Sequence, residues 1–186
     1  MKRFVECYVP VTACNLRCSY CYVIQQDRRN RHPTVFEYTP EHIGKCVSRD
    51  RWGGVCLFSL TAPGETLLAD EVVVLAREIL GQGHYVNITT NGTLSHRFDD
   101  ITSLPKALLA RLHFSFSFHY LQLLWASKVD AFFDNVRKVR EAGCSFLVQF
   151  NLCDEYIPYL DRIQELCIER VGALPQVAIT REQTEQ

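Results

Sequence analysis

Phe4-Val-Glu-Cys-Tyr-Val-Pro-Val11-Thr-Ala-Cys14-Asn-Leu-Arg-Cys18-Ser-Tyr-Cys21 joins an apolar, β-prone run to three thiols within eight residues. Phe4 to Val11 predicts a strand, and the cysteines fall on the loop that leaves it. Further along, Thr39-Pro40 with Glu41 opens a helix to about Arg51. Strands at Val55–Leu60, Tyr85–Thr89, His113–Phe118, Ser145–Asn151 and Gln176–Thr180 alternate with helical patterns at Leu67–Leu80, Ile101–Leu112, Leu124–Ala142 and Asp154–Arg170. Asn91-Gly92 also suits a type I′ hairpin, but the helical spacing after it favours another βα unit. The pattern is α/β, with repeated βα units around a parallel barrel or open sheet. Loops leaving the C-terminal strand ends of such folds meet on one rim and carry the chemistry. The unusual residues fall there: the three cysteines after strand one, Gly64 and Glu65 after strand two, Thr90 and Asn91 after strand three, Ser117 and His119 after strand four, and Asn151 after strand five.

The chain of 186 residues is 47% hydrophobic, enough for one globular unit over 1–186 and too apolar for a disordered linker. Twenty Lys and Arg against 21 Asp and Glu give a net charge of −1, so no bulk field draws the protein to nucleic acid or acidic lipid. With neither a signal-peptide pattern nor an apolar run of membrane-spanning length, it reads as cytoplasmic. Nine cysteines in a reducing compartment point to metal or catalysis rather than disulfides.

Three clustered thiolates are an incomplete shell for a metal that takes four ligands. In a four-iron cubane, three cysteines hold three irons and leave the fourth open to a non-protein ligand. A structural zinc site is the competing reading; its fourth ligand would be Cys7, inside the strand, or His32, beyond a basic loop.

The Cys14-x3-Cys18-x2-Cys21 segment, with Tyr20 before its last cysteine, resembles the radical S-adenosylmethionine (radical SAM) superfamily. The resemblance implies a partial parallel (β/α)6-type TIM barrel holding a [4Fe–4S] cluster on Cys14, Cys18 and Cys21. It further implies that the open iron chelates S-adenosylmethionine and that reductive cleavage gives a 5′-deoxyadenosyl radical, which abstracts hydrogen from a substrate. Tyr20 would lie against the adenine.

Thr61-Ala-Pro-Gly64-Glu65-Thr66 resembles the family's Gly-Gly-Glu-Pro segment, which meets the methionyl amino group. Pro63 replaces the first glycine and Thr66 the proline; Pro63 keeps its carbonyl acceptor. A turn that opens a helix with Glu in its first turn explains the same residues. Thr90 and Asn91, in Thr89-Thr-Asn-Gly92, match the family's Thr-Asn-Gly near the cofactor, though a turn needing positive φ at Gly92 would also select them. In His113-Phe-Ser-Phe-Ser-Phe-His119 strict alternation puts polar groups on one face and phenylalanines on the other. By resemblance Ser117, His119 and, after strand five, Asn151 contact the cofactor; alternatively they are core polar groups satisfied by backbone.

Cys7, Cys46, Cys56, Cys144 and Cys167 read as inert buried thiols, whereas Cys153 lies on the rim two residues past Asn151. Arg28, Arg29, Arg31 and His32 form a basic stretch suited to solvent, to an anionic substrate or to a reductant such as flavodoxin or ferredoxin. The helix expected after strand six is missing, so the chain is expected to be a fragment or to use a partner to cover its open side. Besides an enzyme acting on a peptide or small molecule, an activase for a glycyl radical protein and a non-catalytic metal-binding fragment fit the sequence.

Overall fold

A computed structural model describes residues 1–30, 32 and 35–180. Six strands, β1 (Phe4–Tyr8), β2 (Leu57–Thr61), β3 (Tyr85–Thr90), β4 (Leu112–Ser117), β5 (Ser145–Leu152) and β6 (Gln176–Ile179), form one sheet in sequential order. Every neighbouring pair is parallel, so each connection is a crossover and all C-terminal strand ends lie on one rim. Among the described residues β1 and β6 are the two edges, giving the expected partial barrel with its sheet unclosed.

The helices are α1 (Tyr22–Gln25), α2 (Pro40–Cys46), α3 (Arg49–Trp52), α4 (Glu71–Gly81), α5 (Ser95–Thr102), α6 (Lys106–Leu109), α7 (Tyr120–Trp125), α8 (Val129–Glu141) and α9 (Leu160–Val171). Thr39 caps α2 as anticipated, its hydroxyl accepting from the His42 N–H at 3.3 Å. Several expected helices are split. The one predicted to reach Arg51 breaks at Ser48, whose ψ of 147° is extended, and α3 restarts after it. Thr66–Leu68 is a 3₁₀ turn, and Ala69 is extended before α4 begins. Leu104-Pro105 separates α5 from α6, because the residue before a proline avoids the helical region. Ser127 at φ 53° divides α7 from α8, and Pro158 sits in the 3₁₀ turn Asp154–Tyr159 ahead of α9. β1 stops at Tyr8 rather than Val11, since Pro10 has no N–H to continue the ladder.

The alternation in β4 decides the layering. Phe114, Phe116 and Phe118 are at most 1% exposed beneath the helices, while Ser115 and Ser117 stay half-buried on the concave face. The Phe116 ring centroid lies 5.5 Å from that of Phe98 and 5.7 Å from that of Phe132, joining the sheet to α5 and α8. Burial of each such ring contributes about 1.5–3 kcal/mol. The concave face is polar: Asn87 Nδ2 donates to Ser59 Oγ at 2.9 Å, and Ser115 Oγ donates to Asn87 Oδ1 at 3.0 Å. Phe4 and Tyr8 on β1 and Val177 and Ile179 on β6 remain exposed. Among the described residues no helix is long and apolar enough to cross a membrane.

Candidate functional site

At the C-terminal rim a cavity of about 440 Å³, in the usual range for small-molecule sites, is lined by all three cysteines of the cluster. Tyr20, Gly64, Glu65, Thr90, Asn91, Ser117, His119 and Asn151 line the same cavity. The structure therefore brings the three cysteines and the eight candidate cofactor-binding residues to one place. Cys7 instead lines a separate apolar cavity with Phe36, Ile43 and Phe58 on the helix side of β1, and His32 is exposed; neither joins the three thiols. Among the described residues no group of three or more His, Cys, Asp or Glu converges to hold a single metal ion. A cubane asks for a different arrangement, each thiolate reaching its own iron, and the three thiols on one cavity wall fit that demand.

The thiol loop is held by its own backbone. The Cys21 N–H donates to the Cys18 carbonyl at 3.1 Å, and the Cys21 carbonyl accepts from Ile24 and Gln25 at 3.0 Å, opening α1. The Leu16 N–H points at Cys14 Sγ at 3.5 Å, and the Arg29 guanidinium caps the Cys14 carbonyl. Arg29 of the basic stretch is thus partly recruited to the site, whereas Arg31 lies outside the described residues. Burial, reinforced by neighbouring Cys14, pushes the Cys18 thiol up to about 12, and burial raises Cys14 as well. As free thiols both stay protonated at neutral pH, so coordination by iron would release protons.

The loop after β2 threads between these residues and β3. The Gly64 N–H donates to the Val11 carbonyl at 2.8 Å and the Glu65 N–H to the Ala13 carbonyl at 2.9 Å. A Cβ on Gly64 would lie 2.0 Å from the Ala13 carbonyl oxygen, so only glycine fits. The Glu65 side chain is 2% exposed. Its Oε1 accepts from Thr90 Oγ1 at 2.6 Å and from the Leu67 N–H at 3.1 Å, and Oε2 accepts from the Asn91 N–H at 2.7 Å. Burial raises its pKa, while these donors pull it back down. Glu65 lines the cavity and also caps the 3₁₀ turn. Glu65→Gln sets an amide N–H against a backbone N–H whichever way the side chain turns. The expected loss is about 1–3 kcal/mol of stability in urea unfolding.

The Thr-Asn-Gly segment forms the expected turn, with Thr90 and Asn91 on the cavity wall. Gly92 has φ +72°, and a Cβ there would come 2.7 Å from the Phe132 ring. Asn91 Nδ2 donates to Asn15 Oδ1 at 2.8 Å and lies 3.8 Å from Cys14 Sγ. Asn15 Nδ2 donates to Thr93 Oγ1 at 2.7 Å, and that hydroxyl donates to Asn91 Oδ1 at 2.6 Å. Asn15 and Thr93 were not among the sequence candidates, although each lies within two residues of one. Asn135 of α8, fully buried, steadies this loop from below by donating to the Gly92 carbonyl at 2.8 Å.

His119 ends the β4 segment with Nδ1 2.5 Å from the Tyr20 hydroxyl. Burial inside the cavity lowers its pKa to about 4, leaving a neutral ring able to accept that hydrogen bond. Tyr156 of the turn after β5, also missed in the sequence for lack of any motif, packs on Tyr20 with ring centroids 5.9 Å apart. Ser117 and Asn151 are half-buried on the wall, and Cys153 is half-buried at the end of β5.

Residues 8–155 match the model of the Radical SAM superfamily, and the chain belongs to that superfamily of enzymes, whose cofactors are a [4Fe–4S] cluster and S-adenosylmethionine. It is 33% identical over 109 residues to "Probable GTP 3′,8-cyclase" of Pyrobaculum aerophilum, covering 58% of this chain and 33% of that protein. It is 34% identical over 97 residues to 7-carboxy-7-deazaguanine synthase of Methanospirillum hungatei, covering 52% and 37% respectively. The match thus spans about a third of the length of these curated relatives. The fold is similar to Streptococcus suis SuiB bound to S-adenosylmethionine, with a TM-score of 0.67 and 15% identity over 98% of this chain and 41% of that one; SuiB is also known bound to its precursor peptide SuiA.

Proposed function

We propose that residues 1–186 form the core of a radical SAM enzyme, with Cys14, Cys18 and Cys21 holding the [4Fe–4S] cluster. The observation that carries this reading is the single cavity shared by the three thiols and residues from the ends of β2 to β5. Held by Cys14, Cys18 and Cys21, the cluster would supply the reducing electron, and S-adenosylmethionine bound beside it the radical chemistry of the superfamily. The protein's part is to bind, orient and exclude water. The carbonyls beside Gly64 offer acceptors to the methionyl ammonium, and Glu65 holds the β2 and β3 loops together behind them. Asn91 aims an N–H at Cys14, while Ser117 and Asn151 provide neutral groups for the nucleoside, and the Tyr20 ring offers a face for the adenine.

Ser59, Asn87 and Ser115 of the concave face lie outside the cavity lining and are hydrogen-bonded to one another. The curated relatives suggest a guanine-derived molecule as substrate, and SuiB a peptide. A low-potential protein such as flavodoxin or ferredoxin supplies the electron. Oxygen-free reconstitution with iron and sulfide, followed by dithionite and S-adenosylmethionine, is expected to give a brown protein that releases 5′-deoxyadenosine. A colourless zinc-binding product that releases none would overturn the proposal.

A further inference from the structure

Among the described residues His119 is the one imidazole on the cavity wall, and its Nδ1 is already taken. Tyr20, immediately before Cys21, turns its hydroxyl 2.5 Å from that nitrogen, with ring centroids 5.9 Å apart. A phenol donating to a neutral imidazole nitrogen puts the ring proton on Nε2. The His119 backbone is fixed on both sides: the Phe118 N–H donates to the Gln149 carbonyl at 2.7 Å, and the His119 carbonyl accepts from Leu123 at 2.9 Å to open α7. Tyr20 meets a second rigid neighbour in Tyr156, which is 1% exposed and packs edge-on against Phe150 of β5 at 5.0 Å. One residue earlier, Ser19 Oγ donates to Glu155 Oε2 at 2.8 Å.

Resting on the cluster assignment above, we infer that His119 is a positioning residue that acts through Tyr20. The pair braces the Cys18–Cys21 half of the thiol loop against the ends of β4 and β5, while Asn15, Asn91 and Thr93 hold the Cys14 half against β3. His119 thereby fixes the thiol spacing and the attitude of the Tyr20 ring, and does not itself meet the bound nucleoside. A loop tied at one end only would let Cys18 and Cys21 swing away from Cys14. The brace supplies the outer-shell restraint that metal ligands characteristically need.

The test compares Tyr20→Phe, His119→Leu, the double variant Tyr20→Phe/His119→Leu, and His119→Asn, whose Oδ1 can take the place of Nδ1 as acceptor. Two rates are measured: iron stripping from the reconstituted protein by excess bathophenanthroline, and alkylation of Cys18 by iodoacetamide in the metal-free protein, followed by peptide mass spectrometry. Both rates are expected to rise about 10-fold in each single loss-of-bond variant, in line with outer-shell substitutions elsewhere. The double variant should be no worse than either single one, as for two partners in one interaction, and His119→Asn should stay within about twofold of the unchanged protein. S-adenosylmethionine affinity per assembled cluster, measured by calorimetry, should fall by the same factor in His119→Leu as in Tyr20→Phe, and no further in the double variant. A fall in that affinity with unchanged stripping and alkylation rates would make His119 a direct cofactor contact and overturn the inference, as would additive effects in the double variant. Should His119→Leu fail to fold, Tyr20→Phe, which removes a single oxygen, carries the test alone. If the unchanged protein assembles no cluster, the proposed function fails, and the alkylation rates still decide the brace.

Discussion

Cys18→Ala is expected to take up no [4Fe–4S] cluster on anaerobic reconstitution, while its far-ultraviolet circular dichroism matches that of the unchanged chain. Two thiolates remain in the variant, and a cubane held at two corners has lost the three-point attachment on which the site depends. The fold loses little: one sulfur leaves a buried position on a loop, at a cost of about 1 kcal/mol. Cys56→Ala, at a fully buried position beside His84 at the other end of the sheet, serves as the control and should load normally. Absorbance near 400 nm persisting at full strength in Cys18→Ala would show that this thiol is no ligand.

Gly64→Ala is expected to be the most damaging single methyl in the molecule. The added carbon meets backbone rather than a movable side chain: the Ala13 oxygen at 2.0 Å and the Ala13 and Thr12 carbonyl carbons at 2.8 Å. Relief requires the β2 loop to retreat from the thiol loop, breaking the hydrogen bonds from Gly64 to Val11 and from Glu65 to Ala13. Losing both buried bonds costs about 3–5 kcal/mol. The urea midpoint should fall accordingly, and S-adenosylmethionine binding should disappear with it. Gly81→Ala, at the end of α4 with nothing within 4 Å of the new carbon, should be neutral or stabilising by up to about 1 kcal/mol. If Gly64→Ala and Gly81→Ala unfold at the same midpoint, the two loops are not packed as described.

The layering was readable because alternation is a local signal. Ser115 and Phe116 are adjacent in the chain and sit on opposite faces, so the β4 pattern alone separates cavity wall from core. The cysteine spacing and the position of each rim residue at a strand end were legible for the same reason. What escaped was non-local or set by backbone detail. Nothing near Tyr156 in the chain announces that it packs on a tyrosine more than a hundred residues earlier. Nothing near Glu65 reveals that its carboxylate accepts from Thr90 and Asn91. Helices were drawn too long wherever apolar spacing ran through a break, as at Ser127 and Pro158, because hydrophobic periodicity continues across a kink that the backbone cannot. The thiol loop's ties to Asn15 and Thr93 involve small polar residues whose pairing depends on loop conformation rather than on sequence pattern.

Because the six strands pair strictly in the order in which they occur, the sheet can grow by adding one βα unit at a time as the polypeptide emerges from the ribosome. The thiols arrive with the first unit, yet Ser19 finds Glu155 only 136 residues later. At translation speeds of about 5–20 residues per second, that interval is roughly 7–27 s. During it the nascent thiol loop lacks the neighbours that the ends of β4 and β5 bring to Ser19 and Tyr20.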